Sequence, residues 1–345
     1  MGSLRSAAGR WLAAAGGLLV GSLSLAACGS SGPAETITLY NGQHLETTQA
    51  LVAAFEAKTG IGVQLRSDDE NVLADQIVAE GARSPADVFL TENSPALEFL
   101  QQKGLLSPIE GSTRAVTEAR DDSPSGHWIG ISARVSVLVY NPSVVPRDQL
   151  PTSVLQLAQP KWRGKLALAP AETDFAPIVT SVIRTDGQTA AEAWLAGLKA
   201  NAGAHLYPDN ETVISQVNAG AAGLGIINQY YWYRERAAVG RAGMHSALAF
   251  FAPRDPGYVI DVSGAAVLAS SHHQAAAQRF VAFLASRAGQ EIISHSDSFE
   301  YPIDSGVHAA PGEVPFAQLK PNPITVAELG DGAAATALLQ KVQLL

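Results

Sequence analysis

The chain has 345 residues, 47% of them hydrophobic and 7% aromatic, enough for two domains with substantial cores. Its formal net charge is −9, with the acidic excess spread along the chain and not gathered in a tail. No basic patch marks a nucleic-acid footprint, so nucleic acid is excluded as an expected partner.

The first 27 residues differ from the rest. Arg5 and Arg10 accompany an apolar run through Trp11, Leu12, Leu18, Leu19, Val20 and Leu23, with no acid. A charged start and a short hydrophobic stretch read as an export signal. The segment ends in Leu25-Ala26-Ala27-Cys28, and Cys28 is the only cysteine, so no internal disulfide can form. A unique cysteine directly after small residues resembles a bacterial lipobox and makes Cys28 the expected lipidation site. Residues 28–35 then read as a lipidated, flexible tether. No later apolar run is long enough to span a bilayer, so the expected location is the outer face of the cytoplasmic membrane or the periplasm.

After the tether one pattern recurs: a β-prone run, a polar loop, then a helical periodicity. Thr36-Ile37-Thr38-Leu39-Tyr40 leads into Asn41-Gly42-Gln43-His44 and a helix with Leu51, Val52, Ala54 and Phe55 on one face. Asp87-Val88-Phe89-Leu90 leads into Thr91-Glu92-Asn93 and a helix through Ala96, Leu97, Phe99 and Leu100. Residues 132–140 form a long β-prone run, a candidate hinge. Lys165-Leu166-Ala167-Leu168-Ala169 leads into Pro170-Ala171-Glu172-Thr173-Asp174, and Gly223-Leu224-Gly225-Ile226-Ile227 into Asn228-Gln229-Tyr230-Tyr231. Residues 257–268 form a second candidate hinge. Such alternation predicts mostly parallel sheets flanked by helices, with ligands beyond the carboxyl ends of the strands. His44, Glu92, Tyr230 and Tyr231 all lie at such ends, and topology predicts that they converge.

No hydrolase, zinc or phosphate-loop motif is complete in this chain. What remains is a set of hard oxygen donors and one imidazole. Phenolate and carboxylate suit a small, highly charged cation such as Fe³⁺. A tyrosine gives up its proton near pH ~10, but a trivalent ion can drive that loss. Two adjacent tyrosines can offer both oxygens only if the backbone turns between strand and helix, since on a straight strand they face opposite ways. Each residue also has a plainer reading. Tyr-Tyr-Trp-Tyr is by itself more often a core patch, and Trp232 and Tyr233 are expected to pack so; His44 reads as a loop histidine, and Glu92 as an exposed acid at a helix start.

Several stretches together resemble the ferric-ion-binding proteins of bacterial ABC iron importers. They are Tyr40-Asn41-Gly42-Gln43-His44, Pro85-Ala86-Asp87-Val88-Phe89 with Thr91-Glu92, Pro160-Lys161-Trp162-Arg163-Gly164-Lys165, Asn228-Gln229-Tyr230-Tyr231-Trp232-Tyr233 and Ser263-Gly264-Ala265-Ala266-Val267-Leu268. The likeness runs in order from Thr36 past Pro302. It implies an α/β type II periplasmic-binding-protein fold of two lobes, residues 36–134 with 260–302 and residues 135–259 with 303–345, with the ligand cleft between them. It implies Fe³⁺ as the transported ligand, held by His44, Glu92, Tyr230 and Tyr231. An ABC permease and its ATPase are the implied partners of a monomer without enzymatic activity. A synergistic anion would sit near Arg134, Asn93, Thr173, Asn210 and Asn228. The Ser-Gly-Ala turn that cradles phosphate in some members is here Glu172-Thr173-Asp174, and added acids repel an anion. Carbonate, another anion or direct protein ligation is therefore expected ahead of phosphate. Two alternatives stand beside this reading: the same fold binding a polyamine, thiamine or phosphonate, and a secreted metal-dependent hydrolase.

Overall fold

The computed structural model describes residues 35–117 and 119–345. The export signal, Cys28 and the tether up to residue 34 lie outside the described residues. In chain order the elements are β1 (Thr36–Asn41), α1 (Leu45–Thr59), β2 (Gly62–Ser67), α2 (Glu70–Glu80), β3 (Val88–Thr91), α3 (Ser94–Gln102), β4 (Leu106–Ser107), α4 (Gly111–Arg114) and β5 (Trp128–Tyr140). Then come β6 (Leu166–Ala167), α5 (Phe175–Asp186), α6 (Gln188–Ala202), α7 (Asn210–Asn218), β7 (Leu224–Asn228), α8 (Gln229–Gly243) and β8 (Ala247–Ala249). The chain ends with β9 (Ile260–Leu268), α9 (Gln274–Ala285), α10 (Arg287–His295), β10 (Tyr301–Pro302), α11 (Val326–Leu329) and α12 (Ala333–Lys341).

The strands run in the order β2-β1-β3-β9-β5-β7-β6. Parallel pairing joins β1 to β2 and β3, and β6 to β7; the long strands β5 and β9 supply the antiparallel pairs. β5 changes partner along its length. Its residues from Trp128 to Val135 pair with β9, and those from Ser136 to Tyr140 pair with β7. One 13-residue strand thus serves two sheets, and all of it is buried.

Alternation along the strands fills both faces of the first sheet. Ile37, Leu39, Val88 and Leu90 pack with Phe55 and Phe280 on one side, while Tyr40, Phe89, Leu97 and Trp128 join the larger core on the other. Burial on both faces explains why these strands read as nearly unbroken apolar runs. Gly264, opposite Thr91 on β9, has no room for a side chain: an added Cβ would lie 2.4 Å from Leu97 Cδ1. That contact lets α3 press onto the sheet and brings the loop before it, Glu92 and Asn93, to the strand ends.

Candidate metal site

Five helix starts meet at one place. His44 precedes α1, Asn93 precedes α3, Asp174 precedes α5, Asn210 opens α7, and Tyr230 and Tyr231 lie in the first turn of α8. A helix start exposes unsatisfied N–H groups and partial positive charge, so it favours acids and phenolates. β7 ends at Asn228 and α8 begins at Gln229, which is the turn that two adjacent tyrosine ligands require. Their rings stand 4.1 Å apart at 31°. Trp232 and Tyr233 pack as expected: Tyr233 stacks on Phe299 and donates to the Gly312 carbonyl, and Trp232 Nε1 donates to the Ser246 carbonyl.

The Tyr230 hydroxyl donates to Glu92 Oε1 at 2.6 Å and lies 3.2 Å from Asp174 Oδ2. His44 Nε2 is 3.4 Å from Glu92 Oε1, buried and without a hydrogen-bond partner, and the imidazole meets the Tyr230 ring edge-on at 5.1 Å. The loop before it is self-closed: Asn41 Oδ1 accepts from Gln43 N and Thr48 Oγ1, and Asn41 Nδ2 donates to the Gln43 carbonyl. Arg134, fully buried, reaches Glu92 Oε1 at 3.4 Å.

Sequence reasoning missed Glu300. His44, Glu92 and Glu300 offer ligand atoms that all lie within 4.8 Å of one another. The Glu300 oxygens, however, already accept from Arg134, Ser132 and Gln43. It therefore serves as the counter-charge of Arg134 and, through Gln43, as a support for the His44 loop. Only its position just before β10 hinted at this, because its contacts cross most of the chain.

On the anion side the geometry differs from the arrangement implied by the resemblance. Thr173 Oγ1 accepts from Asn93 Nδ2 at 2.9 Å, and Arg134 Nη1 donates to Asn93 Oδ1 at 3.4 Å. Asn210 Nδ2 donates to Asp174 Oδ2 at 3.3 Å. The gap between Asp174, Asn210 and Asn228 is about 10 Å³, no more than one water needs. The Asp174 carboxyl lines this gap with Asn210 and Asn228, two of the residues expected to neighbour the anion. Asp174 Oδ1 is buried without a regular hydrogen-bond partner, although the Tyr231 phenol is near enough to lower the carboxyl's pKa. Beside the site lies a cavity of about 580 Å³ whose lining includes Glu70, Asp75, Glu172 and Asp331 and, among the described residues, no basic side chain.

Charge divides the site. Burial raises the Glu92 pKa, but His44, Arg134 and the Tyr230 hydrogen bond outweigh it and hold the carboxyl below its usual value. Burial and then the charge of Glu92 push Asp174 up to about 6. Burial and then Asp174 push Glu172 up to about 8. Both phenols are driven well above 10 by burial, Asp174 and Glu92. Two protonated phenols crowded against acids, beside an orphaned imidazole nitrogen, are what a hard trivalent cation would discharge.

Comparison with known proteins agrees with this chemistry. Residues 83–321 match the family of bacterial extracellular solute-binding proteins. The Fe(3+)-binding periplasmic protein of Serratia marcescens is 39% identical over 313 residues, covering 90% of this chain and 92% of that one. The major ferric iron-binding protein of Neisseria meningitidis is 38% identical over 307 residues, 88% of this chain and 92% of that one. Iron-bound HitA from Pseudomonas aeruginosa superimposes with a TM-score of 0.85 at 44% identity, over 89% of this chain and 99% of that one. The fold is that of the type II periplasmic binding proteins, and the names of these relatives are those of binding proteins, not enzymes. The chain belongs to the bacterial extracellular solute-binding proteins, in the branch that holds the ferric-ion-binding periplasmic proteins.

Proposed function

We propose that the protein captures Fe³⁺ outside the cytoplasmic membrane through His44, Glu92, Tyr230 and Tyr231, with Asp174 as a fifth protein ligand. The observation that carries this reading is the Tyr230 hydroxyl, held between the Glu92 and Asp174 carboxylates with Tyr231 stacked beside it. Loss of the phenolic proton would leave oxygens from three side chains around one point, next to a free imidazole nitrogen. The charge count supports a trivalent guest. With both phenols ionised, they and Glu92, Asp174 and Glu300 face a single Arg134, and Fe³⁺ brings this set near balance. A carbonate or phosphate would restore the excess, so no external anion is required.

The long strand β5 serves both sheets, and hinge motion about it would part His44 and Glu92 from the tyrosines they already touch and bring them back together around the metal. The lobes are taken as residues 36–134 with 260–302 and residues 135–259 with 303–345. Delivery to an ABC permease and its ATPase, by a monomer held at the membrane through lipidated Cys28, completes the reading. Family membership supports that partner, and the lipobox-like sequence supports the anchor.

Ferric loading in buffer free of carbonate and phosphate tests the site. One equivalent of iron should give a visible phenolate-to-iron band without added anion. A band that forms only after bicarbonate is supplied removes Asp174 from the ligand set, and no band under either condition removes the iron reading.

A further inference from the structure

The geometry points to Glu70 as a positioning residue that sets the distance between the loops bearing His44 and Glu92; this rests on the iron-binding reading above. Glu70 opens α2 and is 4% exposed, although it is an acid in a helix first turn, where acids ordinarily face water. Its Oε2 accepts the backbone N–H groups of both Glu92 and Asn93 at 2.8 Å, and Oε1 accepts Asn93 Nδ2 at 3.1 Å. All three partners are donors, so both oxygens of the group act as acceptors, and the amide nitrogen of a Gln in its place would meet no acceptor among them.

The other side of the same residue sets the His44 loop. Gly42 lies so close that an added Cβ would stand 2.6 Å from Glu70 Cβ and 2.9 Å from its Cα. Gly42 N in turn donates to the Leu90 carbonyl at 2.7 Å, two residues before Glu92. Glycine at position 42 is thus required by the proximity of Glu70. One buried side chain holds the Glu92 peptide by hydrogen bonds and seats the Gly42-Gln43-His44 segment by contact. Outer-shell groups of this kind orient ligands and govern affinity without touching the metal.

Glu70→Gln, which turns a donor toward at least one of three donors, should weaken ferric binding by about 10- to 100-fold in competition with a chelator, with the phenolate band retained and displaced. Glu70→Asp should lose a similar amount, because it keeps the charge and lacks the reach; a charge-only role would let Asp restore affinity. In a Glu92→Gln background, Glu70→Gln should cost little more, since its effect runs through Glu92. Full affinity in Glu70→Asp or Glu70→Gln, or an undiminished loss in the Glu92→Gln background, overturns the inference. If Glu70→Gln does not fold, the Asp variant and its Glu92→Gln double variant decide the matter. A parent protein that shows no ferric phenolate band defeats the iron reading instead, a result separable from a normal band with indifferent Glu70 variants.

Discussion

The two sides of the site solve opposite electrostatic problems. Around His44 and Glu92, charge is already compensated: Arg134 lies between Glu92 and Glu300, and Glu92 is held below its ordinary pKa. Around Tyr230, Tyr231 and Asp174, burial gathers acids and phenols; among the described residues no basic side chain makes a hydrogen bond or ion pair with Asp174, and the shifted groups there are pushed upward. The first side persists without a guest; on the second the two phenols keep their protons until a cation arrives. Iron uptake in this protein would therefore be an exchange of protons for metal, concentrated on the tyrosine side.

The largest effect should come from breaking that side. Tyr230→Phe with Tyr231→Phe removes both phenolates and leaves the apolar packing of the rings. The visible ferric band should vanish, and affinity should fall by more than the roughly 10- to 100-fold typical of outer-shell changes. A variant that stays coloured would mean that other oxygens hold the metal. Asp174→Ala should come next. It empties the place beside Asn210 and Asn228, so iron binding should weaken in anion-free buffer and recover when bicarbonate is added. The parent protein should be indifferent to bicarbonate, and equal dependence in both would show that Asp174 is no ligand.

Acid should separate the sides further. Both phenols are protonated throughout the physiological range, so loading releases two protons and the logarithm of the affinity should rise by about two per pH unit. Below about 6, Asp174 must also be discharged, and the slope should steepen toward about three. Chelator competition from pH 5 to pH 8 measures both slopes. A flat profile would mean that no phenol is deprotonated on binding.

The two sides also differ in how far the sequence discloses them. His44, Glu92 and the tyrosine pair each follow a β-prone run, and strand-end logic with the family resemblance brings them together. The run at Lys165-Leu166-Ala167-Leu168-Ala169 is shorter than its pattern implies: β6 keeps only Leu166–Ala167. The acids of Glu172-Thr173-Asp174 are visible in the sequence as a departure from the family turn, yet the sign of a charge does not say that Asp174 turns inward beside Asn210 and Asn228. Glu300 and Glu70 left almost no local signal. Gln43 meets Glu300 across 257 positions, and Glu70 looks like any acid in a helix first turn until Gly42 and the Glu92 peptide are seen against it. Contacts that depend on tertiary closure are not written in local periodicity.

The smallest expected effect, on the stability of the iron-free protein, has the opposite sign to the affinity. A carboxyl whose folded pKa exceeds its unfolded value stabilises fully below the unfolded value, and that contribution is lost as pH rises through the folded one. On the tyrosine side Asp174, at about 6, and Glu172, at about 8, are both of this kind. The iron-free protein should therefore unfold at a lower temperature at pH 8 than at pH 5, by about 2–4 °C for each kcal/mol lost. The ferric form should show the reverse trend, because the metal holds Asp174 and both phenols ionised. Asp174→Asn should flatten the iron-free slope without changing its direction. An iron-free protein that is as stable at pH 8 as at pH 5 would mean that the acids on the tyrosine side are compensated after all, and the contrast between the two sides would disappear.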